Sequence, residues 1–251
     1  MNEEREPSSW AGVPGDATFA TTRWSVVLAA GNPSSATAGK ALAELCQAYW
    51  YPLYAYVRRR GRSREDAEDL VQSFFGDLLE RNPFAGLSAE RGRFRAFLLA
   101  ALKHSLANDW DRAHRQKRGG GVAPLSLDWN EAEARYDREP ADSESPDRAF
   151  DRAWAVSLLE RVVVRLEKEC RADGREALFH ATRGFLMLGE DAIPHSQAAR
   201  ELGMEEGAVR IAVHRLRKRY RELLRDEISQ TLQNPAQTAD ELRSLQAALL
   251  G

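Results

Sequence analysis

Residues 196–223, SQAARELGMEEGAVRIAVHRLRKRYREL, restrict the fold of this 251-residue chain more than any other stretch. Ala198, Ala199 and Leu202 recur at the three-and-four spacing of one helix face, and Val209, Val213, Leu216 and Tyr220 form a second such stripe. Gly203 lies between them, where the chain needs a left-handed residue and glycine supplies it without a Cβ clash. Two helices joined this closely bury their stripes against each other, and the small Ala199 lets them approach. That is helix-turn-helix spacing. Away from the second stripe lie Arg210, His214, Arg217 and Arg221, with Arg215, Lys218 and Arg219 at the flanks. Between 206 and 225 seven Arg/Lys stand against Glu206 and Glu222, an excess of five positive charges. Such a face suits the phosphates of a duplex; the plain alternative is a hairpin whose charged face is only solvated.

The formal net charge of the whole chain is −2, so any nucleic-acid surface must be local. Charge is therefore informative only segment by segment. Cys46 and Cys170 stand alone, and His104, His114, His180, His195 and His214 have no metal-ligand spacing. Neither a disulfide framework nor a metal site is expected, and no cofactor. No grouping of Ser, His and carboxylate resembles a nucleophile elbow, so no catalytic residue is assigned and no enzyme is expected. The triple glycine at 119–121 lacks the strand before it and the Gly-Lys-Ser/Thr after it that a phosphate loop requires. The start, MNEEREPSSW, has no basic and apolar leader pattern, and AFLLAAL is too short to span a bilayer. A cytoplasmic protein without a membrane partner is the expectation.

The periodicity predicts an all-α chain in which two small helical domains are joined by a flexible acidic linker; no alternating strand pattern of convincing length occurs. Residues 1–18 read as a loose arm and 19–118 as the first helical domain, with Leu42, Leu45, Cys46 and Tyr49 on one face. Pro52 is expected to end or kink a helix. Residues 119–149 read as the linker: from 126 to 151 nine acidic residues stand against Arg135, Arg138 and Arg148. The second domain is expected over 150–228, and 229–251 as a tail with a short amphipathic helix.

Within the first domain, REDAEDLVQSFFGDLLER (64–81) is expected to bury Leu70, Phe74, Phe75 and Leu78 while Asp66, Asp69, Gln72, Ser73 and Asp77 stay outside. By itself this is an ordinary solvated helix face. LKHSLANDWDRAHRQKR (102–118) interleaves Lys103, Arg112, Arg115, Lys117 and Arg118 with Trp110. Cations for phosphates and a flat ring for an unstacked base suit a single strand or an opened duplex; Trp110 in a core is the competing reading.

The order of these parts resembles the extracytoplasmic-function (ECF) group of sigma-70 family RNA polymerase sigma factors. The resemblance covers roughly 20–228 and is carried by DAEDLVQSFF (66–75), FRAFLLAALKHSLANDWDRAHRQKRGGG (94–121) and QAARELGMEEGAVRIAVHRLRKRYREL (197–223). CQAYWYPLYAYVRRRG and the tail after 225 look like the variant common among soil and planctomycete-type bacteria. The resemblance implies a factor that binds core RNA polymerase, brings it to promoter DNA, helps open the minus-ten element and is released during elongation. It implies that Asp66, Asp69, Leu70 and Gln72 face the polymerase clamp, and that Asn108, Arg112, Arg115, Lys117 and Arg118 follow the minus-ten DNA. The loop 84–93 becomes a candidate for holding an extruded base. Arg210, Ile211, His214, Arg215, Arg217 and Lys218 would meet the minus-thirty-five element, and the acidic linker would run toward the RNA exit path. An anti-sigma factor or a kinase is the kind of regulator such a factor has.

The chain departs from the family pattern at five positions. Ser73 replaces a frequent glutamate, Phe97 a common tryptophan, and Glu205 a serine that caps the recognition helix. Ile211 and Ala212 replace residues that are frequently polar; an apolar side chain there could meet a thymine methyl, with Ala212 simply packed inside as the alternative. The competing function is a stand-alone helix-turn-helix transcription regulator whose first domain senses or dimerises. A third is an RNA-binding or scaffold protein that uses the basic segments without reading bases.

Overall fold

The computed structural model describes residues 30, 38–81, 93–113, 127–139, 145–186, 193–232 and 235–250. Among them every regular element is helical, as the periodicity predicts. The chain divides into two compact units, Met1–Phe150 and Asp151–Gly251.

The first unit is organised on helix α1, Ala38–Arg59, whose centre is almost wholly enclosed: Leu53, Tyr54, Ala55 and Val57 have no exposed surface. The helix continues through Pro52 rather than ending there. A proline inside a helix costs a backbone hydrogen bond and a steric clash. The buried apolar side chains on both sides of Pro52 offset that local penalty. Helix α2, Arg64–Arg81, packs along α1 and starts from Ser63, whose Oγ accepts a hydrogen bond from the Asp66 N–H at 3.1 Å. Its buried face is Ala67, Val71, Phe74, Phe75 and Leu78, with Leu70 only half-buried. Helix α3, Phe94–Ala113, lies against α2 and buries Phe94, Leu98 and Leu102, with Phe94 meeting Tyr49 of α1 edge to face at 5.5 Å. Cys46 is enclosed in α1, where desolvation pushes its thiol up to about 12. It behaves as a small apolar residue.

Helix α4, Trp129–Tyr136, corrects the expectation of a flexible linker over 119–149. Asp128 caps it, its Oδ1 accepting from the Glu131 N–H at 3.0 Å, and the helix packs on α1. Trp129 meets Trp50 edge to face at 5.6 Å between ring centroids and lies 5.8 Å from Tyr54. Arg58 donates to Glu133 at 2.6 Å and its guanidinium lies over the Tyr136 ring. Arg135 sits over Tyr51 at 4.0 Å, and the Tyr51 hydroxyl donates to Glu139 at 2.5 Å. Two of the acidic residues of that segment, Glu133 and Glu139, are here partners of α1. Counting charge alone overlooked the aromatic rings among them, whose burial drives the docking. Residues 119–126 and 140–144, the rest of that segment's interior, lie outside the described residues.

Helix α5, Pro146–Ala172, begins with proline at its first position, where no backbone donor is lost. Its start therefore also falls within the segment read as linker. In the second unit α5, α6 (Glu176–Thr182) and α8 (Glu206–Gln230) enclose Val162, Leu166, Cys170, Phe179, Leu216, Tyr220 and Leu223. A second cluster joins Phe185, Ala198, Ala199, Val209 and Val213, from the turn after α6, from α7 (His195–Leu202) and from α8. The tail forms helix α9, Thr238–Leu250, which packs on α8 and buries Glu241 and Leu245. An ionic layer tightens the far end of α8: Arg165 Nη1 lies 2.7 Å from Asp226 and 2.9 Å from the buried Glu227. Among the described residues no helix is long and apolar enough to cross a membrane.

Candidate nucleic-acid interface

Helices α7 and α8 form the expected helix-turn-helix. Gly203 follows α7 with φ +62°, and the Met204 N–H returns to the Ala199 carbonyl at 2.9 Å, closing the turn. Ala198 and Ala199 are buried against Val209 and Val213, so the two helices meet through small residues. His195 stacks on Phe185 at 4.4 Å, which fixes the start of α7. Glu205 precedes α8 and makes no side-chain cap, as its replacement of serine predicts. Glu206 instead lies in the first turn, where its charge favours the helix dipole.

With Val209, Val213, Leu216 and Tyr220 turned inward, the opposite face of α8 is solvent-facing. Arg210, Ile211, His214, Arg215, Arg217 and Lys218 are all exposed, Ile211 at 57%. They do not stand alike. Arg210 donates to Glu206 at 2.6 Å, a surface pair that a stronger anion can displace. Arg217 Nε donates to the Phe185 carbonyl at 2.8 Å, so this side chain also ties α8 to the turn before α7. Among the described residues, His214, Arg215, Lys218 and Arg221 make no ion pair. Arg219 is turned away: its guanidinium grips Glu169 of α5 with two hydrogen bonds, at 2.7 and 2.8 Å. That contact holds the Glu169 carboxyl below the usual carboxylate range and raises Arg219 further. Beside this stripe Ile211, Ala212, Arg215 and Arg219 line a cleft of about 510 Å³ toward Leu166, Cys170 and Leu178.

On α2, Asp66 and Asp69 are exposed and Leu70 and Gln72 half-buried, so the four face outward from the α1–α2 packing. Half exposure of Leu70 places an apolar group among the carboxylates. Asn108 and Arg112 fall on the last turns of α3. Arg115, Lys117, Arg118 and the loop 84–92 lie outside the described residues. Two cations escaped the sequence reading altogether: Arg60 and Arg62, at the turn between α1 and α2, line a cleft with Lys103 of α3. The run VRRRGR was the available signal.

Among the described residues one group is of metal-ligating type, Glu167, Glu176 and His180. Arg171 already occupies it, 3.4 Å from Glu167 and 2.8 Å from Glu176, and the cluster is a surface ion-pair network.

The model of the family described as ECF sigma factor matches residues 39–185, more than half of the chain. This chain belongs to the ECF sigma factor family. The matched span runs from α1 to the turn after α6 and includes α4, while the ECF chain's helix-turn-helix follows it and is recognised by its own geometry. Neither the curated proteins nor the solved structures compared with it contain a match.

Proposed function

We propose that this ECF sigma factor binds core RNA polymerase, carries it to promoter DNA and opens the minus-ten element. The observation that carries the reading is the recognition helix. α8 buries one complete stripe and leaves Arg210, Ile211, His214, Arg215, Arg217 and Lys218 in solvent, and the family model matches residues 39–185 of the same chain. In this reading Arg210, His214, Arg215, Arg217 and Lys218 meet the minus-thirty-five element, where arginine forks suit guanine edges and phosphates. Ile211 offers the apolar surface that a thymine methyl favours.

Asp66, Asp69, Leu70 and Gln72 form the polymerase contact: two carboxylates with an apolar group between them can mate with a basic surface and exclude water from it. Asn108, Arg112, Arg115, Lys117 and Arg118 follow the minus-ten strand. The protein acts in the cytoplasm, and an anti-sigma factor or kinase controls its access to polymerase.

The test is transcription from a genomic promoter library with purified protein and core RNA polymerase, followed by sequencing of the transcripts. Starts downstream of a shared two-part motif are expected. Core-only transcription combined with duplex binding by the protein alone would transfer the reading to a stand-alone regulator.

A further inference from the structure

The cleft between the end of α1, the α1–α2 turn and α3 joins Lys103 of the basic-aromatic helix to two cations with no role so far, Arg60 and Arg62. It encloses about 360 Å³ and is lined by Val57, Leu106 and Ala107 on its apolar side and by Arg60, Arg62 and Lys103 on its charged side. Arg60 and Arg62 are exposed and Lys103 half-exposed. Tyr56 sets the spacing of two of these cations. The Arg60 guanidinium and the Lys103 ammonium lie 6.0 and 5.8 Å from its ring centroid, and Arg60 Nη1 is 3.5 Å from its hydroxyl. The turn that presents Arg62 is itself held. Arg58 Nη1 donates to the Arg62 carbonyl at 2.7 Å, and Gly61 takes φ +80°.

Three cations around an apolar floor are complementary to a nucleotide unit, with phosphate on the cations and sugar or base against Val57 and Leu106. One anion is already seated there. Lys103 is paired with Asp147, from the first turn of α5. The pair is solvent-accessible on both sides, 42% and 53% exposed, so its carboxylate can be displaced.

We infer that this cleft is a phosphodiester site for the opened promoter strand, and that Asp147 occupies its Lys103 corner until the strand arrives. The proposal rests on the promoter-opening reading and adds to it a strand contact on the α1–α2 turn and an internal competitor. The strand is favoured over an acidic protein partner because the cleft lies on α3. That helix carries Lys103 four residues before Ala107 and continues toward the basic residues beyond Trp110. Asp147 acts locally, as a carboxylate where a phosphate oxygen will sit.

The test measures binding of the full chain to a fluorescein-labelled single-stranded oligonucleotide by anisotropy over a salt series. Four proteins are compared: wild type, Asp147→Asn, Arg60→Ala/Arg62→Ala, and the triple variant. Asp147→Asn is expected to tighten binding about two- to fivefold, the range open to an exposed ion pair. Removing Arg60 and Arg62 should weaken binding several-fold for every sequence. It should also lower the slope of log K against log salt by about 1.4, from roughly 0.7 per phosphate contact on a single strand. All the substituted side chains are exposed, and an unchanged thermal melt confirms the fold.

Unchanged affinity and slope in the double variant would overturn the site. Unchanged or weaker binding by Asp147→Asn would overturn the competitor role. Absence of strand binding by both wild type and Asp147→Asn at low salt overturns both. Equal competition by a free deoxynucleoside monophosphate would reassign the cleft to a small anion, and equal affinity for the duplex would remove its link to opening. Run-off transcription with the same proteins separates this proposal from the one beneath it. Initiation by wild type with unaltered strand binding in the variants refutes the cleft alone. No initiation with the expected binding pattern refutes the promoter-opening role alone.

Discussion

The turn of the helix-turn-helix supplies a sharp test, because two glycines four residues apart predict opposite signs for one substitution. Gly203 has φ +62°, in the left-handed region, and a Cβ built on it meets nothing within 4 Å. The cost of Gly203→Ala is therefore purely conformational, about 1–2 kcal/mol for an L-residue in that region. Reduced freedom of the unfolded chain returns about 0.4–1 kcal/mol. The net loss is about 1 kcal/mol. For a unit the size of Asp151–Gly251 that corresponds to a melting temperature roughly 4–8 °C lower. Gly207 lies in the first turn of α8 with helical φ, and its Cβ also meets nothing within 4 Å. There the backbone conformation suits alanine, so Gly207→Ala should stabilise by about 0.5 kcal/mol. The assay is calorimetry of the full chain, with hydrogen exchange identifying the transition that contains α7 and α8. A Gly203→Ala protein as stable as wild type, or a Gly207→Ala protein that loses as much as Gly203→Ala, would refute the reasoning.

Arg219→Ala should leave promoter use nearly unchanged, since this guanidinium faces Glu169. NMR titration should show the Glu169 pKa rising toward the ordinary glutamate range. The pair's contribution is present above that ordinary range and is lost as pH falls through the depressed folded value; for a pair this exposed it is at most about 1 kcal/mol, and Arg219→Ala abolishes that part of the pH dependence. Arg210→Ala should weaken promoter use by about 1–3 kcal/mol at particular upstream sequences, read by transcription from a set of promoters. Equal loss at all of them would make Arg210 a phosphate contact. Asp69→Arg, at an exposed position of α2, should reduce co-purification with core polymerase while leaving the thermal melt unchanged. Full retention of core binding would remove α2 from the interface.

Where local pattern and burial agree, the sequence was sufficient. The stripe Val209, Val213, Leu216 and Tyr220 and the turn at Gly203 were legible because helix period and left-handed backbone are properties of nearby residues. The outward face of α8 followed by subtraction. The reading of α2 was nearly right: Val71 and Ala67, with no exposed surface, take the inward place that Leu70 was expected to share. Asp66, Asp69 and Gln72 were identified as outward for the same periodic reason.

What the sequence by itself determined, then, is the all-α class, the helix-turn-helix and the sign of charge on its outer face. Tertiary structure decided which charges are available. Arg217 and Arg219 are indistinguishable by composition from Arg215, yet one reaches the Phe185 carbonyl and the other Glu169. It also decided that Pro52 lies within an unbroken helix and that Trp129–Tyr136 is a docked helix. The physical reason is separation along the chain. Glu133 finds Arg58 75 residues away, and Lys103 meets Asp147 across 44. The energy of such pairs depends on distance and burial, neither of which exists until the helices pack.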